Sequence, residues 1–149
     1  VGKLNEDEFW TYQVFGRANK VARLNKTMYY YFQRSSSIMG VGYNIRRLDA
    51  LEGKANRQKY IENNFPDLSM QAKIDLYGSC MFAYQSVLKF MSGADKKKAL
   101  SIIKKYKKNC NLSFDEIKLA DKSSRKYFYL AKCNFGFCCK FRAISGIGF

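Results

Sequence analysis

The feature that most constrains the fold is a stripe of large apolar residues between residues 70 and 91. Its members recur at alternating steps of four and three: Met70, Ile74, Tyr77, Met81, Tyr84, Leu88 and Met91. This spacing places all of them on one face of an α-helix of about six turns, beginning near Asp67 or Ser69. Because a stripe of Met and Tyr is typical of a protein core, we expect the other elements to pack around this helix.

Helical patterns also lie on both sides of the stripe. Apolar residues spaced by three and four run from Tyr43 until Phe65-Pro66, where the proline ends the pattern. A lysine-rich helix begins at Asp95, and Ser113 with Glu116 has the spacing of a capping box that opens a short helix. The region after residue 42 is therefore predicted to be a bundle of about four to five helices.

The N-terminal region has a different pattern. Asn5 and Glu8 have capping-box spacing, which predicts a helix from about residue 6 to residue 19. The segments KVARLN and TMYYYFQR are short, rich in Val and Tyr, and separated by Asn25-Lys26, which predicts two short strands. We therefore expect a mainly α chain with a short two-stranded β piece. The predicted division is residues 1–42, the end of a sheet-containing domain that begins before Val1, and residues 43–149, a helical domain.

The residue types restrict the chemistry. The chain has five cysteines, no CxxC pair and no histidine, so it offers no zinc-site pattern and no Ser-His or Cys-His pair. We expect free, mostly buried thiols. Acid-base catalysis would have to come from Asp, Glu, Lys or Tyr.

The basic charge is concentrated at the C-terminal end. Residues 96–149 contain 14 Lys or Arg and 3 Asp or Glu, and thus carry +11 of the net +15. Aromatic residues are interleaved with these cations near the end of the chain, a composition that suits an anionic membrane surface. The alternative is that the aromatic side chains pack into the core. The predicted membrane-facing cations are Arg125, Lys126, Lys132, Lys140 and Arg142.

Two short motifs near the N-terminus indicate a function. The first is EDEFW at residues 6–10, and the second is YFQRSSSI at residues 31–38. Acids in a first helical turn are common, because the helix dipole favours them there. The two motifs together, with two predicted strands between them, resemble the bacterial family-2 glycosyltransferases (GT-A type, inverting) of capsule, exopolysaccharide and O-antigen synthesis. The resemblance covers about residues 2–39.

The resemblance implies roles for individual residues. Asp7 would be the general base that deprotonates an acceptor hydroxyl as it attacks the nucleotide sugar, with Glu6 assisting. The aromatic rings of Phe9 and Trp10 would bind the acceptor sugar. The residues that would bind the donor diphosphate are Arg34, Tyr31 and Ser37.

The resemblance also implies what lies elsewhere. The family's nucleotide-binding half, with the DxD-type acids that hold Mg²⁺ or Mn²⁺, is not in this sequence, so we expect this chain alone to be inactive. The whole enzyme would act in the cytoplasm on a lipid-linked saccharide, peripherally at the inner face of the membrane. The alternative is a non-enzymatic basic helical module that binds a membrane surface or nucleic acid. Nucleic acid is disfavoured, because we find no RNP-like strand and no helix-turn-helix spacing.

Overall fold

The computed structural model describes residues 2–30, 32 and 42–148. In this part of the chain the regular structure is helical, with 3₁₀ turns at Ile45–Leu48 and Pro66–Leu68. The α-helices are α1 (Asp7–Arg17), α2 (Asp49–Asn64), α3 (Ser69–Phe90), α4 (Gly93–Asn109), α5 (Phe114–Ile117), α6 (Lys122–Cys133) and α7 (Phe135–Ile144).

Helix α3 is the centre of the core, as its apolar stripe predicted. Helices α2, α4 and α7 all pack directly against it. Tyr77 of α3 is completely buried, and its ring lies edge-on to Phe128 at 5.2 Å and to Phe135 at 5.9 Å between centroids. The aromatic residues of α6 and α7 thus close the core around α3.

Local capping residues set several helix boundaries. Helix α2 ends at Asn64, directly before the predicted Phe65-Pro66 stop. The predicted capping box at α5 is confirmed, because Ser113 accepts from the Glu116 amide and the Glu116 side chain accepts from the Ser113 amide. Asn134 separates α6 from α7 and accepts a hydrogen bond from the Phe137 amide at 2.9 Å.

The segment that contains α1 is held against α2. The Lys3 ammonium lies 2.7 Å from a Glu52 oxygen, and the Leu4 amide donates to Asp49 at 3.0 Å. Gly53 permits the close approach of the two helices, because a Cβ atom there would lie 2.8 Å from the Cβ atom of Glu8.

The predicted two-stranded β piece is wrong for the part of the chain that the structure describes. Residues 18–30 form no strand and their side chains are exposed. The preference of Val and Tyr for strands depends on a half-buried sheet surface, and among the described residues no strand lies beside residues 18–30 to pair with them. The end of the second predicted strand, at residues 31 and 33–34, lies outside the described residues.

Two further differences concern helix starts and helix number. Asn5, which has a φ of 57°, is not the N-cap residue of α1. Glu6 occupies that position, and its side chain makes no capping hydrogen bond. The Glu8 side chain forms ion pairs with α2 instead. Six helices follow residue 42 rather than four to five, because the C-terminal segment divides at Asn134.

All five cysteines are free thiols and four are buried, as predicted.

Candidate functional site

Asp7 lines two surface pockets next to the start of α1. The larger is a groove of about 740 Å³ between α1, α2, α3 and the turn before α6. The smaller, of about 530 Å³, lies between α1, α2 and the 3₁₀ turn Pro66–Leu68. The first turn of α1 therefore projects Asp7 towards space that a ligand can enter.

A four-residue ion cluster fixes the position of this turn. Glu8 of α1 lies 3.0 Å from an Arg57 nitrogen and 3.7 Å from the Lys54 ammonium. The same two cations of α2 pair with Asp75 of α3, Lys54 at 2.9 Å and Arg57 through a short contact. Because these side chains are partly exposed, each pair stabilises the fold by at most about 1 kcal/mol. Together they tie three helices at the base of the groove.

Asp121 occupies the opposite wall of the groove. Its carboxylate caps α6 by accepting from the Ser123 and Ser124 amides, both at 3.0 Å. Hydrogen bonds from Ser123 and Ser124 lower the pKa of Asp121 to about 2. Asp121 is therefore an ionised structural cap, whose hydrogen-bonding capacity is already used.

Asp7 differs from the other carboxylates of the groove. Glu8, Asp75 and Asp121 all have ion pairs or hydrogen bonds, whereas Asp7 has neither within the described part of the chain. Asp7 is also exposed. It is thus the groove carboxylate that can accept a proton from a ligand without breaking an existing bond.

Acidic and basic side chains both line the groove. The carboxylates are Asp7, Glu8, Asp75 and Asp121, and the cations are Arg47 and Lys54. Glu8 and Asp75 are already paired with Lys54 and Arg57. The carboxylate of Asp7 can therefore accept a hydrogen bond from a ligand hydroxyl group without displacing an ion pair.

The other residues predicted for the N-terminal site are spread around α1. Glu6 is exposed at the position before the helix, and Phe9 is half-buried. Trp10 is 53% exposed and lies three residues after Asp7, which makes it a neighbour of Asp7 on the helix surface. Phe9 and Trp10 do not line the groove. The predicted diphosphate-binding residues Arg34, Tyr31 and Ser37 lie outside the described residues.

The five basic residues predicted to face a membrane have different environments. Arg125 donates to the Ala120 carbonyl at 2.9 Å. The Arg142 guanidinium lies 4.3 Å from the centroid of the Tyr127 ring, and its Nε donates to the buried Gln85 at 2.9 Å. Both arginines therefore stabilise the fold, whereas Lys126 and Lys140 are exposed and Lys132 is half-buried.

A divalent metal ion needs several ligating side chains that converge on one point. Residues 2–30, 32 and 42–148 contain no group of three or more His, Cys, Asp or Glu side chains placed to hold one. The Mg²⁺ or Mn²⁺ expected for the whole enzyme therefore has no fitting site among them.

No helix in residues 2–30, 32 and 42–148 is both long enough and apolar enough to cross a bilayer.

Comparisons of the chain with protein-family models, with curated proteins and with solved structures gave no match.

The groove itself was not predicted from the sequence. Lys54, Arg57 and Asp75 come from helices that are distant in sequence from α1, and no local pattern shows that they meet Glu8. A local signal did exist for Asp121, because Asp is one of the residue types preferred at a helix N-cap.

Proposed function

We propose that this chain is the C-terminal part of an inverting glycosyltransferase, in which Asp7 is the general base. The observation that carries the proposal is that Asp7 is exposed on the groove rim without an ion pair or hydrogen bond in the described chain, while Glu8, Asp75 and Asp121 are engaged. The EDEFW and YFQRSSSI motifs support the same assignment.

The proposed reaction is a single displacement. The Asp7 carboxylate takes the proton of an acceptor hydroxyl, and the acceptor oxygen forms a bond to the anomeric carbon of the donor sugar. The bond between that carbon and the diphosphate breaks on the opposite face, so the configuration inverts and a nucleoside diphosphate leaves. The donor site and any metal ion would belong to another part of the protein, with Arg34 contributing to diphosphate binding.

The groove supplies what such a base needs. The first turn of α1 holds the Asp7 carboxylate at the groove, where an acceptor hydroxyl can approach it. The ion cluster around Glu8 orients that turn, and the groove beside it has space for an acceptor saccharide. Trp10, one turn further along α1, offers an exposed aromatic face to a sugar ring.

The test is the transfer rate of the intact gene product with a panel of nucleotide sugars and an oligosaccharide acceptor. The Asp7→Asn variant should lower kcat by about 10²- to 10⁴-fold and leave nucleotide-sugar binding near that of wild type. Asp95→Asn is a matched control, because Asp95 is also exposed in a first helical turn but lies on α4. Undiminished turnover in Asp7→Asn would rule out Asp7 as the base.

The sequence that precedes Val1 in the gene gives an independent test. The proposal requires a strand-helix nucleotide-binding pattern with a DxD-type motif in roughly 200 preceding residues. A gene without that pattern would contradict the glycosyltransferase assignment and leave the alternative of a non-enzymatic basic module.

A further inference from the structure

Four of the five thiols lie together inside the core. All four are fully buried, on α3, at the end of α4 and on α7: Cys80, Cys110, Cys138 and Cys139. Burial raises the pKa of Tyr77, and each of these four thiols raises it further, so all of them lie near this side chain. The core therefore contains a cluster of sulfur atoms that the chemistry at the groove does not use.

Within this cluster, Cys80 and Cys110 form a hydrogen-bonded pair. The Cys80 thiol donates to the Cys110 sulfur. The Cys110 thiol in turn donates to the Tyr106 carbonyl at 3.3 Å. The two sulfur atoms are thus in direct contact, although 29 residues lie between Cys80 and Cys110 in the sequence.

The two thiols of this pair differ in how readily they ionise. The hydrogen bond from Cys80 lowers the pKa of Cys110, and the charges of Lys107 and Lys73 lower it further. The pKa of Cys80 is raised by the same hydrogen bond and by burial. Because the thiolate is the nucleophile in cysteine chemistry, Cys110 is the more nucleophilic of the two, and Cys80 keeps its proton.

We propose that Cys80 and Cys110 form a reversible disulfide when the protein meets a hydroperoxide. The Cys110 thiolate attacks one oxygen of hydrogen peroxide, which forms an S–O bond, breaks the O–O bond and releases hydroxide. The Cys80 sulfur then displaces a second hydroxide from the sulfenic acid on Cys110 and forms the S–S bond. The two hydroxide ions take up the protons of the two thiols, so one peroxide molecule oxidises one pair and becomes two water molecules.

Peroxide reaches the pair through the end of α4. Cys110 directly follows Asn109, the last residue of this helix, and its amide bond to the Tyr106 carbonyl is long, at 3.3 Å. Asn109 and Asn111, on either side of Cys110, are exposed. Helix ends open more readily than helix centres, which admits a molecule as small as hydrogen peroxide. The disulfide then ties the end of α4 to α3. Neither cysteine lines the groove, so the proposal is independent of the transfer chemistry.

The other cysteines are less suited to this reaction. The Cys138 thiol donates to the Tyr127 carbonyl at 3.3 Å. Cys139 is the next residue of α7, and neighbouring side chains on a helix diverge by about 100°, so these two thiols do not face each other. Cys133 is exposed, and we expect it to be oxidised as a single thiol.

The test is oxidation of the folded wild-type chain by hydrogen peroxide, followed by blocking of the remaining thiols with N-ethylmaleimide and peptide mapping by mass spectrometry. Cys80–Cys110 should be the principal intramolecular disulfide, and dithiothreitol should reverse it. The same treatment in urea should give a mixture of pairs, because the fold no longer selects one. The proposal is overturned if the folded chain forms no intramolecular disulfide, or if another pair, such as Cys80–Cys139, is the principal one.

Serine variants test the order of the two steps. Cys80→Ser should leave a sulfenic acid on Cys110 that dimedone labels, whereas Cys110→Ser should lose the disulfide and leave Cys80 unlabelled. Cys138→Ser is the matched control, because Cys138 is equally buried, and this variant should form the disulfide like wild type. Circular dichroism should show that all three variants stay folded. Labelling of Cys80 as strong as that of Cys110, or loss of the disulfide in Cys138→Ser, would contradict the proposed roles.

Discussion

Residues 28–30 and residues 127–129 are both rich in aromatic side chains, but their environments are opposite. Tyr29 and Tyr30 are 77% and 93% exposed in a segment without regular structure. Phe128 is 5% exposed, and Tyr127 and Tyr129 pack against the core from α6. Aromatic content alone therefore does not decide whether a segment becomes core.

The difference follows from what each segment can pack against. Asp121 starts α6 by capping it, and the helix then directs Phe128 at Tyr77 of the central α3. Residues 18–30 follow α1 without regular structure and meet no second strand in the described chain. A strand without a neighbour leaves its backbone hydrogen-bonding groups to water, so its side chains gain little from association.

Single substitutions in these two segments should differ most in their effect on the free energy of unfolding. Phe128→Ala leaves a cavity against Tyr77 and should lower the free energy of unfolding by about 3–5 kcal/mol. Tyr30→Ala removes an exposed ring and should change it by no more than about 0.5 kcal/mol. Urea unfolding followed by circular dichroism measures both. Similar losses in the two variants would show that residues 28–30 are packed.

A smaller loss of stability is expected from a substitution at the contact between α1 and α2. Gly53→Ala places a methyl group 3.1 Å from the Glu8 carbonyl oxygen, so α1 must move away from α2. The clash should outweigh the gain in helix propensity and cost about 1–2 kcal/mol. The fluorescence of Trp10, the only tryptophan, should report the displacement of α1.

Gly78→Ala is the matched control for the displacement of α1. Gly78 also lies within a long helix, but a Cβ atom there would be 3.5 Å from the Phe128 ring, an ordinary contact. This variant should be at least as stable as wild type, because Ala is favoured over Gly in a helix by about 0.5–1 kcal/mol. If both variants leave Trp10 fluorescence unchanged, α1 is not held closely against α2.

The smallest predicted effect is a pH dependence at the start of α6. The pKa of Asp121 is about 2 in the folded chain and about 3.9 in an unfolded one. Ionised Asp121 thus stabilises the fold above about pH 4, and this contribution disappears as the pH falls through about 2. The Tm difference between wild type and Asp121→Asn should therefore change from pH 5 to pH 2. Lys122→Gln, in the same helical turn, should differ from wild type by a constant amount over that range.

The core helices could be predicted because their signals are local. The stripe from Met70 to Met91 repeats every three or four residues within one helix, and the Phe65-Pro66 stop and the Ser113 capping box each act within about one helical turn. The predicted strands failed because pairing needs a second element that the local pattern cannot guarantee. The same reason applies to Glu8, whose capping-box spacing was overridden by Arg57 of α2.

The site shows the same division between local and distant information. The position of Asp7 in a first helical turn is a local feature of the acidic segment at residues 6–8, whereas the groove beside Asp7 depends on Asp75 and Asp121 from distant parts of the chain. The inward position of Arg142 depends on Gln85, which lies 57 residues earlier in the chain. Periodicity describes one helix at a time and does not identify these partners.

Amide hydrogen exchange of the whole chain tests the central contrast most directly. The structure predicts strong protection in residues 123–133, within α6, and exchange close to that of an unfolded peptide in residues 18–30. Alternating protection across residues 20–30, as in a paired strand, would contradict this description and restore the two-stranded piece that the sequence predicted.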